Sequence, residues 1–135
     1  MQQVTLAPTG GEVVEFNGEL LFRLEGDDHD GQAGGRWHDI EIYRIESGSL
    51  AVSVTYRTTA AMESSLCAVD TAQDANDVDS ILSLYAPDES VVMDAGSSRN
   101  RVIETVVRRY DLQVNEVLRR LQSSPEVTGT STKPR

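Results

Sequence analysis

Two runs of β-rich sequence, separated by Ser47 and Gly48, dominate the first half of the chain. In the second run, residues 49–59, apolar and polar side chains alternate, so that every other residue falls on one apolar face. Alternation with a period of two is typical of a strand with one buried face, and a Ser-Gly pair between two such runs favours a hairpin. We therefore predict a central hairpin over residues 37–59.

A two-residue turn in this hairpin would place the carboxylates of Asp39 and Glu41 on its apolar face. Unpaired carboxylates are costly to bury, so either the strand departs from this regular pairing or the two acids are not buried. A bulge near Glu41 would shift the phase of the strand and turn both acids outward, and this is the interpretation we favour. The alternative is a pocket at the sheet edge, lined by the two acids together with His38 and Tyr56.

Upstream, Asn17 and Gly18 separate two apolar runs within residues 12–25. Asn-Gly in this context is a strong local signal for a hairpin, so we predict a turn there. A three-residue loop or a bulge at Gly18 would gather the apolar side chains on one face. A short apolar run at residues 64–70 predicts another strand.

Two helical patterns follow the strands. Apolar residues recur at helical spacing in residues 75–86, between a group of capping residues and Pro87. A longer pattern in residues 98–122 places a broad apolar stripe on one side. Strands followed by helices indicate an α+β fold. We expect an antiparallel sheet of four or five strands within residues 3–70, with both helices packed on one sheet face.

The length and composition fit a single domain, which we place at residues 1–122. A chain of 135 residues lies near the most common domain size. Residues 123–135 are polar, carry two prolines and show no periodicity, which indicates a disordered tail. No apolar run approaches the roughly 20 residues of a membrane helix, and Cys67 is the only cysteine. We expect a cytoplasmic protein that does not bind membranes.

Charge is distributed unevenly along the chain. Residues 1–98 carry eighteen acids and four arginines, whereas residues 99–135 carry four acids and eight bases, and the net charge is −10. No Lys, Arg or His occurs between Arg57 and Arg99, where eight acids fall. An acidic surface repels nucleic acids, so we expect no direct nucleic-acid binding. The acidity serves either solubility or a cationic partner.

Two sets of mainly charged residues are candidate binding surfaces. One is a row on the polar side of the long helical pattern, which forms either ordinary ion pairs or a basic ridge for an acidic partner. The other is a set of aspartates around the first helical pattern, and the helix dipole stabilises the three of them, Asp74, Asp77 and Asp79, that lie in or just before its first turn. The row consists of Arg101, Arg108, Leu112 and Arg119, and the aspartates are Asp70, Asp74, Asp77, Asp79 and Asp88.

The glycine-rich stretch at residues 25–36 contains Asp27, Asp28 and Asp30. This stretch does not match a calcium-binding loop. The first and twelfth ligand positions fall on residues without carboxylates, and no helix flanks the stretch. We predict a solvated loop without a metal, and a weak cation site at the three aspartates is the alternative.

No recognised catalytic or cofactor-binding motif occurs, so we expect no cofactor and favour a protein that is not an enzyme. Apolar residues fall on both predicted sheet faces, and exposed apolar surface usually marks self-association or a partner. We predict a binding or accessory protein that acts through protein–protein contacts, with another protein or as a homodimer.

Two other functions remain open at this point. The acidic surface could mimic a nucleic acid and inhibit a nuclease or a DNA-binding protein. A small enzyme or ligand-binding protein would instead use a pocket around His38, Asp39, Glu41 and Tyr56.

Overall fold

The computed structural model describes residues 1–123 and has the predicted α+β fold. Five strands form one antiparallel sheet in which each strand pairs with the next along the chain. The strands are β1 (Gln2–Leu6), β2 (Val14–Glu25), β3 (Arg36–Ile45), β4 (Leu50–Thr58) and β5 (Leu66–Ala72). The helices are α1 (Ala75–Leu84) and α2 (Ser97–Gln122), and both pack on the same face of the sheet.

The main hydrophobic core lies between this sheet face and the helices. In the paired strands β3 and β4, Ile40 lies opposite Val54 and Ile42 opposite Val52. Their side chains are buried under the apolar stripes of both helices. The phenol of Tyr110 donates a hydrogen bond of 2.6 Å to the Leu82 carbonyl and so joins α2 to α1. The helices contribute Val78, Leu82, Tyr110, Val114, Val117 and Leu121 to this core.

The loop between β3 and β4 is one residue longer than the sequence predicts. The N–H of Ile45 donates to the carbonyl of Ser49 at 2.8 Å, which leaves three residues in the loop. Gly48, the last of these, has a φ of 102°, a conformation that glycine adopts without strain. The longer loop shifts the register of β3 by one residue relative to a two-residue turn.

This register resolves the conflict over the two acids of β3. Ile40 and Ile42 point to the helices, and the alternate residues Asp39 and Glu41 point to the opposite face. The ladder between β3 and β4 is unbroken from Arg36 to Arg44, so the predicted bulge near Glu41 was wrong. The loop length, and not a bulge, turns the acids outward.

The predicted turn at Asn17-Gly18 was also wrong, because β2 continues through it. Residues 14–18 pair with β1, and residues 18–25 pair with β3 apart from a shift of register at Leu21. A Cβ on Gly18 would lie 2.3 Å from the carbonyl oxygen of Arg44, so this glycine permits the close approach of β3. Pairing on both sides stabilises the extended chain more than the local turn preference does.

The segment after β1 reaches the opposite edge of the sheet. The N–H of Thr9 donates to the carbonyl of Cys67, and the N–H of Cys67 donates to Oγ1 of Thr9, both at 2.9 Å. Because β1 and β5 are the two edge strands, this contact requires a strongly curled sheet. Ala51 and Ser53, which point away from the helices, are buried inside the curl. The second sheet face is therefore covered in part by the chain itself.

The predicted disordered tail, residues 123–135, falls outside the described part of the chain except for Ser123. That residue ends α2, and its N–H donates to the carbonyl of Arg119 at 3.3 Å. Neither of the two helices in residues 1–123 has the length and apolarity needed to cross a membrane.

Leu82 and Leu84 allow a matched test of this architecture, because they lie on opposite sides of α1. Leu82 is fully buried in the core, whereas Leu84 is exposed. We expect Leu82→Ala to lower the free energy of unfolding by about 2–5 kcal/mol, since it leaves a cavity. Leu84→Ala should change it by less than about 0.5 kcal/mol. Urea denaturation of both variants measures the difference, and equal effects would contradict the packing of α1.

Candidate functional site

A buried ion pair fastens the segment after β4 to the sheet. The side chains of Arg36 and Glu63 are only 4% and 1% exposed, and Nε of Arg36 lies 3.0 Å from both carboxylate oxygens of Glu63. The hydroxyls of Tyr56 and Thr58 and the N–H of Val92 also donate to this carboxylate. Burial by itself raises the pKa of Glu63, but these donors outweigh it and lower the pKa to about 2. The group is ionised and fully engaged in holding the fold.

His38 lies among three tyrosines where β3, β4 and both helices meet. Its side chain is almost fully buried, and its Nε2 lies 3.1 Å from the hydroxyl oxygen of Tyr85. Its ring centroid is 5.1–5.5 Å from those of Tyr56, Tyr85 and Tyr110. Burial lowers the pKa of His38 to about 4, although the nearby Asp39 acts in the opposite direction. The imidazole is therefore neutral at neutral pH and acts as part of the core.

The four residues of the predicted pocket do not come together. His38 and Tyr56 point toward the helices, whereas Asp39 and Glu41 lie on the other face of β3. Asp39 accepts hydrogen bonds from the N–H of Gly26 at 3.0 Å and from Nε of Arg57 at 2.9 Å. The register of β3 separates the two pairs by the thickness of the sheet.

The aspartates of the glycine-rich loop bind donors of the chain itself. The carboxylate of Asp28 accepts from the N–H groups of Ala33 and Gly35 and from the guanidinium of Arg109. Arg109 also donates to Asp30 at 2.9 Å, which lowers the pKa of Asp30. Within residues 1–123, no group of three or more His, Cys, Asp or Glu side chains is arranged to hold a metal ion. The loop is thereby fastened to α2.

The row of residues on α2 lies on the side of the helix that faces away from the sheet. Arg101, Arg108 and Leu112 are exposed. Arg119 is exposed as well, and its Nε donates to Oε1 of Glu116 at 3.0 Å. The fourth position of the row is thus engaged in a helix-surface ion pair.

Several of the candidate aspartates have local structural roles. Asp74 is the N-cap of α1 and accepts from the N–H of Asp77 at 3.0 Å. The carboxylate of Asp77 accepts in return from the N–H of Gln73 at 2.9 Å. Asp70 accepts from the N–H of Thr71. These contacts satisfy backbone donors at the start of the helix and beside it. The remaining members of the set are Asp79 and Asp88, which are exposed or half-buried.

An apolar groove, here called the β5 groove, runs between β5 and the C-terminal half of α1. It consists of two adjoining depressions of about 210 and 190 Å³, which share Ala68 and Tyr85. Leu84, 85% exposed, stands at its rim. An exposed leucine beside a lined depression differs from the scattered apolar residues of an ordinary surface. The other residues that line the groove are mainly apolar and include Val52, Val54, Leu66, Val69 and Ile81.

The backbone of β5 beside this groove is unpaired at one position. Cys67 directs its N–H and carbonyl away from β4, toward Thr9. Val69 and Thr71 direct theirs the same way, because backbone orientation alternates along a strand. The N–H of Thr71 is bonded by the side chain of Asp70. Within the described chain, no group bonds to the outward N–H and carbonyl of Val69.

The groove is also acidic at its margins. Asp70 lines one depression and Glu89 lines the other. The elements β5 and α1 both lie in the interval between Arg57 and Arg99 that contains no basic residue. This apolar groove, with its acidic margins and its unpaired strand position, is therefore a candidate binding surface.

Comparison with known proteins does not assign a family. No family model matches the chain, and no curated protein or solved structure is significantly similar to it.

The two histidines give a matched test of the buried cluster. We expect stability to fall as the pH drops from about 6.5 to about 4, because the unfolded chain then takes up a proton that His38 in the folded chain does not. The loss should approach roughly 3 kcal/mol, the equivalent of the pKa difference. Chemical denaturation at a series of pH values measures it. His38→Gln should remove this slope, whereas His29→Gln, at an exposed site, should leave it.

A second decline should follow at lower pH. The unfolded chain protonates Glu63 near pH 4.5, and the folded chain retains the ionised form down to about pH 2. A stability profile that is flat between pH 6.5 and 4 in the unaltered protein would contradict the burial of His38.

Proposed function

We propose that the protein is a non-catalytic binding protein that holds a basic, extended segment of another protein in the β5 groove. The supporting observation is the apolar groove at Leu84 beside the unpaired backbone of Val69. A segment that adds to a strand edge gains affinity from main-chain hydrogen bonds and specificity from pockets for alternate side chains. The β5 groove offers both features.

The state of the buried ionisable groups favours binding over catalysis. Glu63, His38 and Asp28 are each hydrogen-bonded within the chain. A general acid or base must reach a proton of the substrate, and a group that is enclosed and engaged in this way stabilises the fold instead. The enzyme predicted as an alternative needed His38 and Glu41 in one pocket, and the two side chains lie on opposite faces of the sheet.

Charge complementarity favours a basic partner. The groove margins carry Asp70 and Glu89, and no base of the chain follows Arg57 until α2. A two-fold symmetric dimer through the groove would bring two acidic margins together, which is unfavourable. A second copy of the chain is for this reason a less favourable occupant of the groove than a basic segment. The homodimer predicted from the sequence stays a prediction. A cytoplasmic location is likewise a prediction from composition.

The nucleic-acid mimic is a weaker proposal. A mimic needs free carboxylates at regular spacing on one surface. Asp70, Asp74 and Asp77 are instead engaged with backbone N–H groups of their own segment.

Site-specific photo-crosslinking in the native cells tests the β5 groove. We expect p-benzoylphenylalanine in place of Leu84 to crosslink to a basic segment of one other protein. The matched control is p-benzoylphenylalanine in place of Leu112, an exposed leucine on α2, and it should give no such crosslink. Adding Val69→Pro should reduce the yield about tenfold, since it removes one backbone donor and blocks the edge.

Two further variants complete this design. Leu84→Lys places a cation in the groove and should abolish capture of a basic segment, while leaving α1 folded because a base is favourable at a helix C-terminus. Thermal unfolding confirms that each variant folds. Crosslinks to an acidic segment, or equal yields from positions 84 and 112, would overturn the proposal. Crosslinks to a second copy, with a dimer mass by light scattering, would replace it with the homodimer.

A further inference from the structure

The residues that follow Ser123 have a sequence that suits an added strand. Residues 124–135 lie outside the described part of the chain. Within them, Pro125 and Pro134 bound a run, residues 126–133, that contains Val127 and three threonines. A proline just after a helix favours the end of that helix, and β-branched residues favour an extended strand. With one apolar residue the run cannot form a core of its own, so it needs an existing sheet edge.

The helix α2 ends at the same end of the sheet as β3. Along α2, Gln113 donates to the carbonyl of His38, and the guanidinium of Arg120 lies 5.5 Å from the ring centroid of Phe22. Phe22 pairs with Ile42, which lies further along β3 than His38. The helix therefore runs in the direction of β3, and Ser123 lies near the end of that strand.

The strand β5 ends at this side of the sheet as well. Arg44, near the end of β3, pairs with Leu50 at the start of β4, and Leu50 pairs with Ala72 at the end of β5. Two strand spacings, roughly 10 Å, separate β3 from β5. The twelve residues after Ser123 span about 40 Å when extended, so they can reach any position along β5.

The edge of β5 offers such a segment one complete pairing position. In an antiparallel pair, a residue whose backbone groups both point outward exchanges two hydrogen bonds with one residue of the neighbouring strand. Val69 is such a residue, whereas Cys67 and the N–H of Thr71 are already bonded within the chain. One residue of the added segment would satisfy both groups of Val69.

Direction and charge favour the same placement. A segment that comes from the end of α2 meets β5 at Ala72 and runs toward Leu66, which is the antiparallel orientation. Its two bases, Lys133 and Arg135, then come last, at the end of the groove that Glu89 lines together with Leu66. The elements beside the groove carry no base of their own, so these two residues complement its charge.

Such a contact would be weak and easily displaced. One valine and the threonine methyl groups bury little apolar surface. An attached segment nevertheless has an effective concentration on the order of millimolar, so that a weak affinity is enough to fill the groove. A partner that binds more tightly would then compete with it.

We infer that residues 126–133 of the chain itself add to the edge of β5 and occupy the β5 groove until a partner displaces them. The segment is an internal competitor for the groove. This regulatory role rests on the proposed function, whereas the contact within the chain is measured without a partner.

Photo-crosslinking of the purified full chain tests the contact. We expect p-benzoylphenylalanine in place of Leu84 to crosslink to residues 126–133, as identified by mass spectrometry of tryptic peptides. The same substitution of Leu112, an exposed residue on α2 within reach of the segment, is the control and should give no such crosslink. A mixture of isotopically light and heavy chains should give no light–heavy product. Equal yields from the two positions, or light–heavy products, would overturn the inference.

Charge reversal tests the complementarity. Lys133→Glu with Arg135→Glu should lower the intrachain yield about threefold or more, because the acidic groove then repels the segment. Arg101→Glu with Arg108→Glu makes the same change of charge at exposed positions of α2 and should leave the yield unaltered. An equal loss in both double variants would contradict the placement of the bases.

The competition is measured in the native cells. There, the reversal at Lys133 and Arg135 should raise the crosslink yield from position 84 to the other protein about threefold, because the groove is free in a larger fraction of molecules. An unchanged yield would overturn the competition. Intrachain crosslinks without any to another protein would support the contact and overturn the proposed function. Crosslinks to another protein without intrachain ones would do the reverse.

Discussion

The length of one loop decides which side chains the helices can cover. A three-residue connection between β3 and β4 turns Ile40 and Ile42 toward α1 and α2, and it turns Asp39 and Glu41 to the other face. Side chains alternate along a strand, so a shift of a single residue would have reversed this assignment for the whole strand. The core, the position of His38 and the separation of the acids all follow from this register.

Two ion pairs, one buried and one partly exposed, then fix the segments that leave the sheet. Arg36 with Glu63 holds the chain after β4, and Arg109 with Asp28 holds the glycine-rich loop against α2. Removing one partner of such a pair leaves an uncompensated charge inside the protein, which is far more costly than the pair is favourable. These pairs therefore specify where the loops lie. Both arginines also line the depression between the β2–β3 loop and α2.

The fold places the acidic and the basic parts of the sequence on different elements. The base-free interval builds β5 and α1, and the bases that follow lie on α2. Several acids of that interval serve as caps or buried partners, such as Asp74 and Glu63, and others stand at the margin of the β5 groove. Part of the acidity thus stabilises the fold, and the rest shapes the electrostatics of the surface that we propose for binding.

The sequence by itself determined the class of fold, the two helices and the central hairpin, because apolar periodicity is a local property that each element carries in its own residues. It misplaced the turn at Asn17-Gly18, since strand pairing with β1 and β3 overrides a local preference. It also carried no signal for Glu63 or Arg109, whose ion-pair partners Arg36 and Asp28 lie 27 and 81 residues away. Only the tertiary structure decided the register, the ion pairs and the surface depressions, because each depends on contacts between segments that the chain brings together when it folds.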